Sequence, residues 1–170
     1  PDLDAIPEET ARRAKFIYIN YPNNPTGAVA TKAFYEKLVA WAKTYEVGVV
    51  SDLAYGALGY QGYENPSFLS TPGAKDVGIE FYTFSKTFNM AGWRLAFAAG
   101  NDQMIEALNL IQDHLFVGIF PALQEAGIAA LLDPKSEEAV AQLNATYDSR
   151  RDAFVQAAAK IGWQAFPSRG

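Results

Sequence analysis

Two short runs of β-forming residues bracket one amphipathic helix near the start of this chain. That alternation restricts the fold more than any other feature. Phe16-Ile17-Tyr18-Ile19-Asn20 is a β-prone run closed by turn residues. Phe34, Leu38, Trp41, Ala42 and Tyr45 recur at helical spacing between Thr31 and Tyr45, with Thr31 placed to cap. Val47 to Ser51 (VGVVS) is apolar on both faces, as a buried parallel strand would be. Strand, helix, strand with a right-handed crossover is the βαβ unit. A long loop rich in Gly, Tyr and Pro follows from Tyr55 to Lys75, then strands over Ile79–Phe84 and Arg94–Ala99. After Gly100 the pattern turns helical. Asn101 or Asp102 is placed to cap, and Met104, Ile105, Leu108 and Ile111 share one face. Pro121 suits a first helical turn leading Leu123 to Leu132. Ser136 with Glu137 and Glu138 opens a long helix carrying Val140, Leu143, Tyr147, Phe154 and Ile161. Strands alternating with helices predict an open α/β sheet. Asp133-Pro134 marks the expected boundary between a first unit over 1–133 and a second over 134–170.

Composition removes several classes of function. The 170 residues carry a net charge of −5, which argues against a nucleic-acid partner because such partners need a basic face. There is no cysteine, so disulfides and thiolate metal sites are excluded. The single His114 cannot build a histidine-rich metal site or a serine-protease triad, and no metal is expected. No apolar run approaches the roughly 20 residues that span a bilayer. The first fifteen residues are polar and contain Pro1 and Pro7, unlike a signal peptide. A soluble, cytoplasmic protein is the expectation. The chain starts at Pro1 and stops at Ser168-Arg169-Gly170 after an apolar stretch, so both ends read as cuts through a longer protein.

Ligands of open α/β sheets bind outside the carboxyl ends of the strands. Three polar clusters fall there: Asn23-Asn24-Pro25-Thr26-Gly27, Asp52-Leu53-Ala54-Tyr55 and Thr83-Phe84-Ser85-Lys86. A fourth, Gly92-Trp93-Arg94, enters the next strand. Singly, each is ordinary: a plain turn, a turn-forming aspartate, a solvated lysine. Their joint occurrence at successive strand ends is not.

The stretches YPNNPTG (21–27), DLAY (52–55) and TFSKTFNMAGWRLAF (83–97) resemble the signature segments of class I/II aminotransferases, the aspartate aminotransferase family of fold type I. The likeness runs over nearly the whole chain in the family's order. Residues 72–94 are especially similar to the branch of alanine-forming and LL-diaminopimelate aminotransferases. The resemblance implies a partial three-layer α/β sheet, mostly parallel: the second half of the family's large domain plus the start of its small domain. It implies a pyridoxal 5'-phosphate cofactor and transfer of an amino group between an L-amino acid and a 2-oxo acid.

Roles carry over by matching motif positions. Lys86 matches the Schiff-base lysine, whose amine both forms the link and moves a proton. Asp52 matches the carboxylate that keeps the pyridine nitrogen protonated. Tyr55 and Asn24 match the groups bonded to the cofactor's phenolic oxygen, and Asn24 also a contact to the substrate carboxylate. Thr83, Ser85 and Arg94 match phosphate contacts, with threonine where the family usually has serine. The bond between Asn24 and Pro25 is expected to be cis. Val117 departs from the small residues usual at that interface position. Tyr60 and Tyr63 lie in a loop able to border a substrate, whereas His114 reads as a surface or interface residue.

The family's ring-stacking aromatic, its phosphate-binding helix start and its substrate-carboxylate arginine do not occur within these residues. A protein more than twice this length is therefore implied, a homodimer with shared sites, and the 170 residues alone are expected to be inactive. A C–S lyase or other β-eliminating enzyme, a non-catalytic sensor domain and an inert fragment remain alternatives.

Overall fold

The computed structural model describes residues 1–170. Strands β1 (Phe16–Asn20), β2 (Gly48–Asp52), β3 (Gly78–Thr83) and β4 (Ala96–Gly100) form one sheet in that order. The first three are parallel, and β4 runs antiparallel to β3. Asn20 pairs with Asp52, Asp52 with Phe81, and Thr83 with Ala96. The carboxyl ends of the first three strands and the start of the fourth therefore share one edge, and all four polar clusters of the sequence meet along it.

The connection from β1 to β2 is helix α2 (Lys32–Tyr45), preceded in the chain by the short α1 (Glu8–Arg13). Thr31 caps α2, its hydroxyl accepting the Phe34 N–H at 3.1 Å. Tyr35, Leu38, Val39 and Ala42 fall on the helix face that is buried. They pack with Ile19, Val49 and Phe68 into the main core. One face of the sheet thus lies under α2. The other face carries Phe16 and Tyr18, 51% and 75% exposed. It is met near Gly48 by Met104 of α5 (Asp102–Ile111), so closely that a Cβ on Gly48 would collide with the methionine. Two layers are complete and the third is partial.

Several boundaries differ from those read in the sequence, each for a local reason. β3 stops at Thr83 because its hydroxyl accepts the Ser85 N–H and starts a one-turn helix, α4 (Phe84–Thr87). β4 starts at Ala96 rather than Arg94. A 3-10 turn over Ala91–Trp93 delivers the chain to Arg94 at φ 55°, a left-handed conformation that no strand continues. The loop 55–75 contains a 3-10 turn over Phe68–Ser70 that Ser67 caps. It then runs into α3 (Ala74–Val77).

Asn101, rather than Asp102, caps α5 by accepting the Met104 N–H at 3.1 Å. Its C-terminus loosens into a π-helical turn, Gln112–Phe116. Helix α6 (Pro121–Leu132) has proline in its first turn as expected. Helix α7 (Ser136–Lys160) starts where read, but Ser136 does not cap it: the hydroxyl donates back to the Ala130 carbonyl at 2.6 Å. No helix is long and apolar enough to cross a membrane.

Candidate active site

The turn after β1 is built around Asn20. Its side-chain oxygen accepts the Asn24 N–H at 3.0 Å and the Asn23 amide at 3.3 Å, while its Nδ2 donates to the Asp52 carbonyl at 3.0 Å. One asparagine thereby ties the first polar cluster to the second. Asn23 accepts from the Thr26 hydroxyl at 2.7 Å, and Gly27 closes the turn at φ 65°, where a β-carbon would be strained. The bond between Asn24 and Pro25 is cis, as expected; Tyr21-Pro22 is also cis, and nothing in the sequence had singled it out.

This turn sets the Asn24 side chain beside Tyr55, with Nδ2 donating to the phenol oxygen at 3.2 Å. Lys86, on α4 at the end of β3, holds its Nζ 5.7 Å from the centre of the Tyr55 ring. These three residues and Ser85 line one cleft of about 520 Å³. Lys86 is the only charged side chain among its lining residues.

The remaining expected residues stand on the same rim but not in that cleft. Asp52 and Thr83 line a neighbouring depression on the open sheet face. The Asp52 carboxylate is exposed, and Oδ1 accepts the Ala54 N–H at 3.1 Å. The Thr83 and Ser85 hydroxyls lie 3.0 Å apart and bridge the two hollows. Arg94 lines a third depression, beside Gln112 and Phe116, with Nη1 donating to the Ala91 carbonyl at 2.9 Å.

Other side chains line the cleft that sequence reasoning missed or left open. Tyr60 lines it, and Tyr63 does not: the Tyr63 hydroxyl donates to the Ala30 carbonyl at 2.7 Å and fastens the loop. Leu58, Asn89, Tyr147 and Ser168 were not singled out as site residues. Tyr147 appeared only as one apolar position of a long helix. His114 lies exposed in the π-helical turn, away from the cleft.

An amine beside a phenol–amide pair, with a carboxylate, two hydroxyls and a guanidinium along one strand-end rim of an α/β sheet, is a set of groups suited to a carbonyl and an anion. The family model for aminotransferase class I and II matches residues 1–170. The chain belongs to that family. It is 55% identical to the L-glutamine–4-(methylsulfanyl)-2-oxobutanoate aminotransferase of Bacillus subtilis, covering 96% of this chain and 40% of that protein. It is 50% identical to the LL-diaminopimelate aminotransferase of Moorella thermoacetica, covering 96% and 41%. The substrate-bound BacF structure from Bacillus subtilis superposes with a TM-score of 0.95 at 46% identity, covering all of this chain and 43% of that one. The chain thus spans about two fifths of the length of these relatives.

Proposed function

We propose that the complete protein is an aminotransferase that uses pyridoxal 5'-phosphate to move an amino group between an L-amino acid and a 2-oxo acid. The observation that carries this reading is Lys86 Nζ standing in one cleft with the Asn24–Tyr55 pair. The donor set fits the cofactor group by group. An amine suits its aldehyde, a phenol and an amide its phenolic oxygen, and a carboxylate its ring nitrogen. Two hydroxyls and a guanidinium suit its phosphate.

When bound, the cofactor supplies an electron sink that makes the substrate's α-proton acidic. Lys86 would hold the cofactor through its aldehyde, and its Nζ would be the atom that takes and returns the α-proton. Asn24 donates to the Tyr55 oxygen, so the phenol's own hydrogen is left to donate to a neighbouring oxyanion. The Ala54 N–H engages Oδ1 of Asp52, which orients the carboxylate and leaves Oδ2 for a cationic ring nitrogen. Thr83, Ser85 and Arg94 would hold the phosphate, Arg94 as a charged fork. Asn24 also meets the substrate carboxylate.

The same reading divides the chain at Asp133-Pro134 into the end of a large domain and the start of a small one. The division falls in the break between α6 and α7. It makes the complete protein a cytoplasmic homodimer. Leu115, Phe116, Val117 and Phe120, all exposed, are apolar surface suited to such pairing.

Borohydride reduction of the cofactor-loaded complete protein, followed by peptide mapping, tests the assignment. Label is expected on Lys86, and label on another lysine would sink it. Release of thiol and ammonia over many turnovers from a cysteine S-conjugate, with no 2-oxo acid supplied, would reassign the protein to β-elimination, whereas a transaminase without an acceptor stops after one equivalent of 2-oxo acid.

A further inference from the structure

Beyond Lys86, Asn24 and Tyr55, the cleft is lined by Leu58 and Tyr60 of the loop after β2 and by Tyr147 of α7. Tyr60 is held from several directions. The Arg151 guanidinium stands 5.0 Å from its ring centre, and its backbone N–H donates to the Arg169 carbonyl at 3.0 Å. The Arg151 side chain is only 9% exposed. It pairs with Asp148 at 2.5 Å and Asp152 at 2.6 Å, and Nη1 donates to the Ser168 carbonyl at 3.0 Å. Its charge is already matched by two carboxylates. Arg150 stands over the Tyr147 ring at 5.7 Å, and neither arginine belongs to the cleft lining. Three residues before Tyr60 the loop is tied to α7 again: the Asn144 amide donates to the Ala57 carbonyl at 2.7 Å. The wall is therefore fixed in place, aromatic and aliphatic, and carries no charge of its own.

We propose that Tyr60, Tyr147 and Leu58 form the subsite for the substrate's side chain, and that it takes an extended uncharged side chain of the thioether, amide or aromatic type. This rests on the reading of Lys86 as the reacting amine, which fixes the end of the cleft at which the α-carbon sits. An uncharged chain gains by covering the two rings and the leucine. A distal carboxylate or ammonium gains less, because none of these three side chains offers it an opposite charge and any water it sheds against the rings is not replaced by a partner. Arg151 is a positioning residue: it acts through Tyr60 and touches no substrate.

The experiment compares kcat/KM of the complete, cofactor-loaded protein for methionine, glutamine, phenylalanine, glutamate and LL-diaminopimelate, with Lys86 labelling as a separate readout. The uncharged donors are expected to exceed glutamate and LL-diaminopimelate by about tenfold or more, a difference of ~1.4 kcal/mol or greater. Tyr60→Ala and Tyr147→Ala are expected to raise KM for methionine several-fold and to compress that preference while Lys86 still labels. Arg151→Met should reproduce the KM change of Tyr60→Ala with kcat less affected, and Arg151→Lys should restore part of it. A wild-type preference for LL-diaminopimelate or glutamate would overturn the subsite. So would labelled Tyr60→Ala and Tyr147→Ala variants with unchanged preference. Absence of label on Lys86 in the wild type would overturn the proposed function and this subsite with it.

Discussion

Tyr35 packs edge-on against Phe68 at 5.8 Å and is 1% exposed. Burial first, and the nearby Glu80 charge second, push its phenol pKa well above the usual value. An unfolded tyrosine ionises near pH 10. On raising the pH the unfolded chain therefore loses this proton first, and stability present below pH 10 drains away on the climb toward the folded value. The loss from Tyr35 approaches ~1.4 kcal/mol per pH unit in that window. Tyr60 and Tyr82, also raised chiefly by burial, act in the same direction. Urea unfolding at about pH 9 to 11 should show this decline, and Tyr35→Phe should make it shallower; an equal slope in both proteins would rule Tyr35 out as its source. Asp52 is the opposite case, an exposed carboxylate with one backbone contact. Asp52→Ala in the complete protein is expected to lower activity by about a hundredfold or more while leaving thermal unfolding near wild type. A fully active variant would remove Asp52 from the proposed mechanism. Asp52, Lys86, Asn24 and Tyr55 were legible as members of polar clusters at successive strand ends, and their expected roles only through the resemblance of those motifs to the family's. Tyr147 and Ser168 were not, because they reach the cleft only through the path of α7 and the segment after it. Asn20 was hidden by looking like a strand-ending asparagine, although it links two of the clusters.

β3 carries a buried acid on the face that α2 covers. Glu80 is 6% exposed and accepts from the Ser51 hydroxyl at 3.0 Å, the Ser67 hydroxyl at 2.5 Å and the Phe68 N–H at 2.8 Å. Three donors from two other segments converge on it, so Glu80 pins the 3-10 turn over Phe68–Ser70 to the sheet. Glu80→Ala would leave those donors unpaired in the core, at a cost of about 3 kcal/mol or more. In a double-mutant cycle with Ser51→Ala the two effects should fall short of adding, because the partners are in contact. Strict additivity would show that the pair does not interact. At the other end of the same layer, Thr31→Ala removes the α2 cap and is expected to cost about 1 kcal/mol, read as a lower denaturation midpoint with an unchanged slope. The strands and α2 could be read from the sequence because their apolar period matches their burial. The 3-10 turn could not, since it is made by Ser67 and by a glutamate thirteen residues later in sequence. The late start of β4 was equally invisible, because Arg94 adopts a left-handed conformation that residue type does not announce.

Taken as one body, the chain assembles the rim of the proposed site without enclosing it. Lys86 is exposed, and Asp52 with Thr83, and Arg94, open into hollows separate from the cleft of Lys86. A ligand contacting all of them would be gripped along one edge and left open to water elsewhere, where charge-assisted contacts are screened. The relatives are about two and a half times as long, and the chain matches about two fifths of each. Each charge-assisted hydrogen bond that the remaining three fifths would supply is worth about 1.5–3 kcal/mol. Two such contacts missing already weaken binding by roughly a hundredfold or more. The 170-residue chain by itself is therefore expected to bind pyridoxal phosphate weakly and to show no turnover with alanine, aspartate or glutamate as donor. Titration of the purified chain, following the cofactor's absorbance on covalent attachment, measures the first point, and a coupled assay for the 2-oxo acid product measures the second. A Lys86→Ala chain separates binding at the cleft from reaction with surface lysines: the specific signal should vanish in it. Tight stoichiometric attachment with measurable turnover would mean that the strand-end rim suffices, and that enclosure contributes far less than the open geometry of Asp52, Thr83 and Arg94 implies.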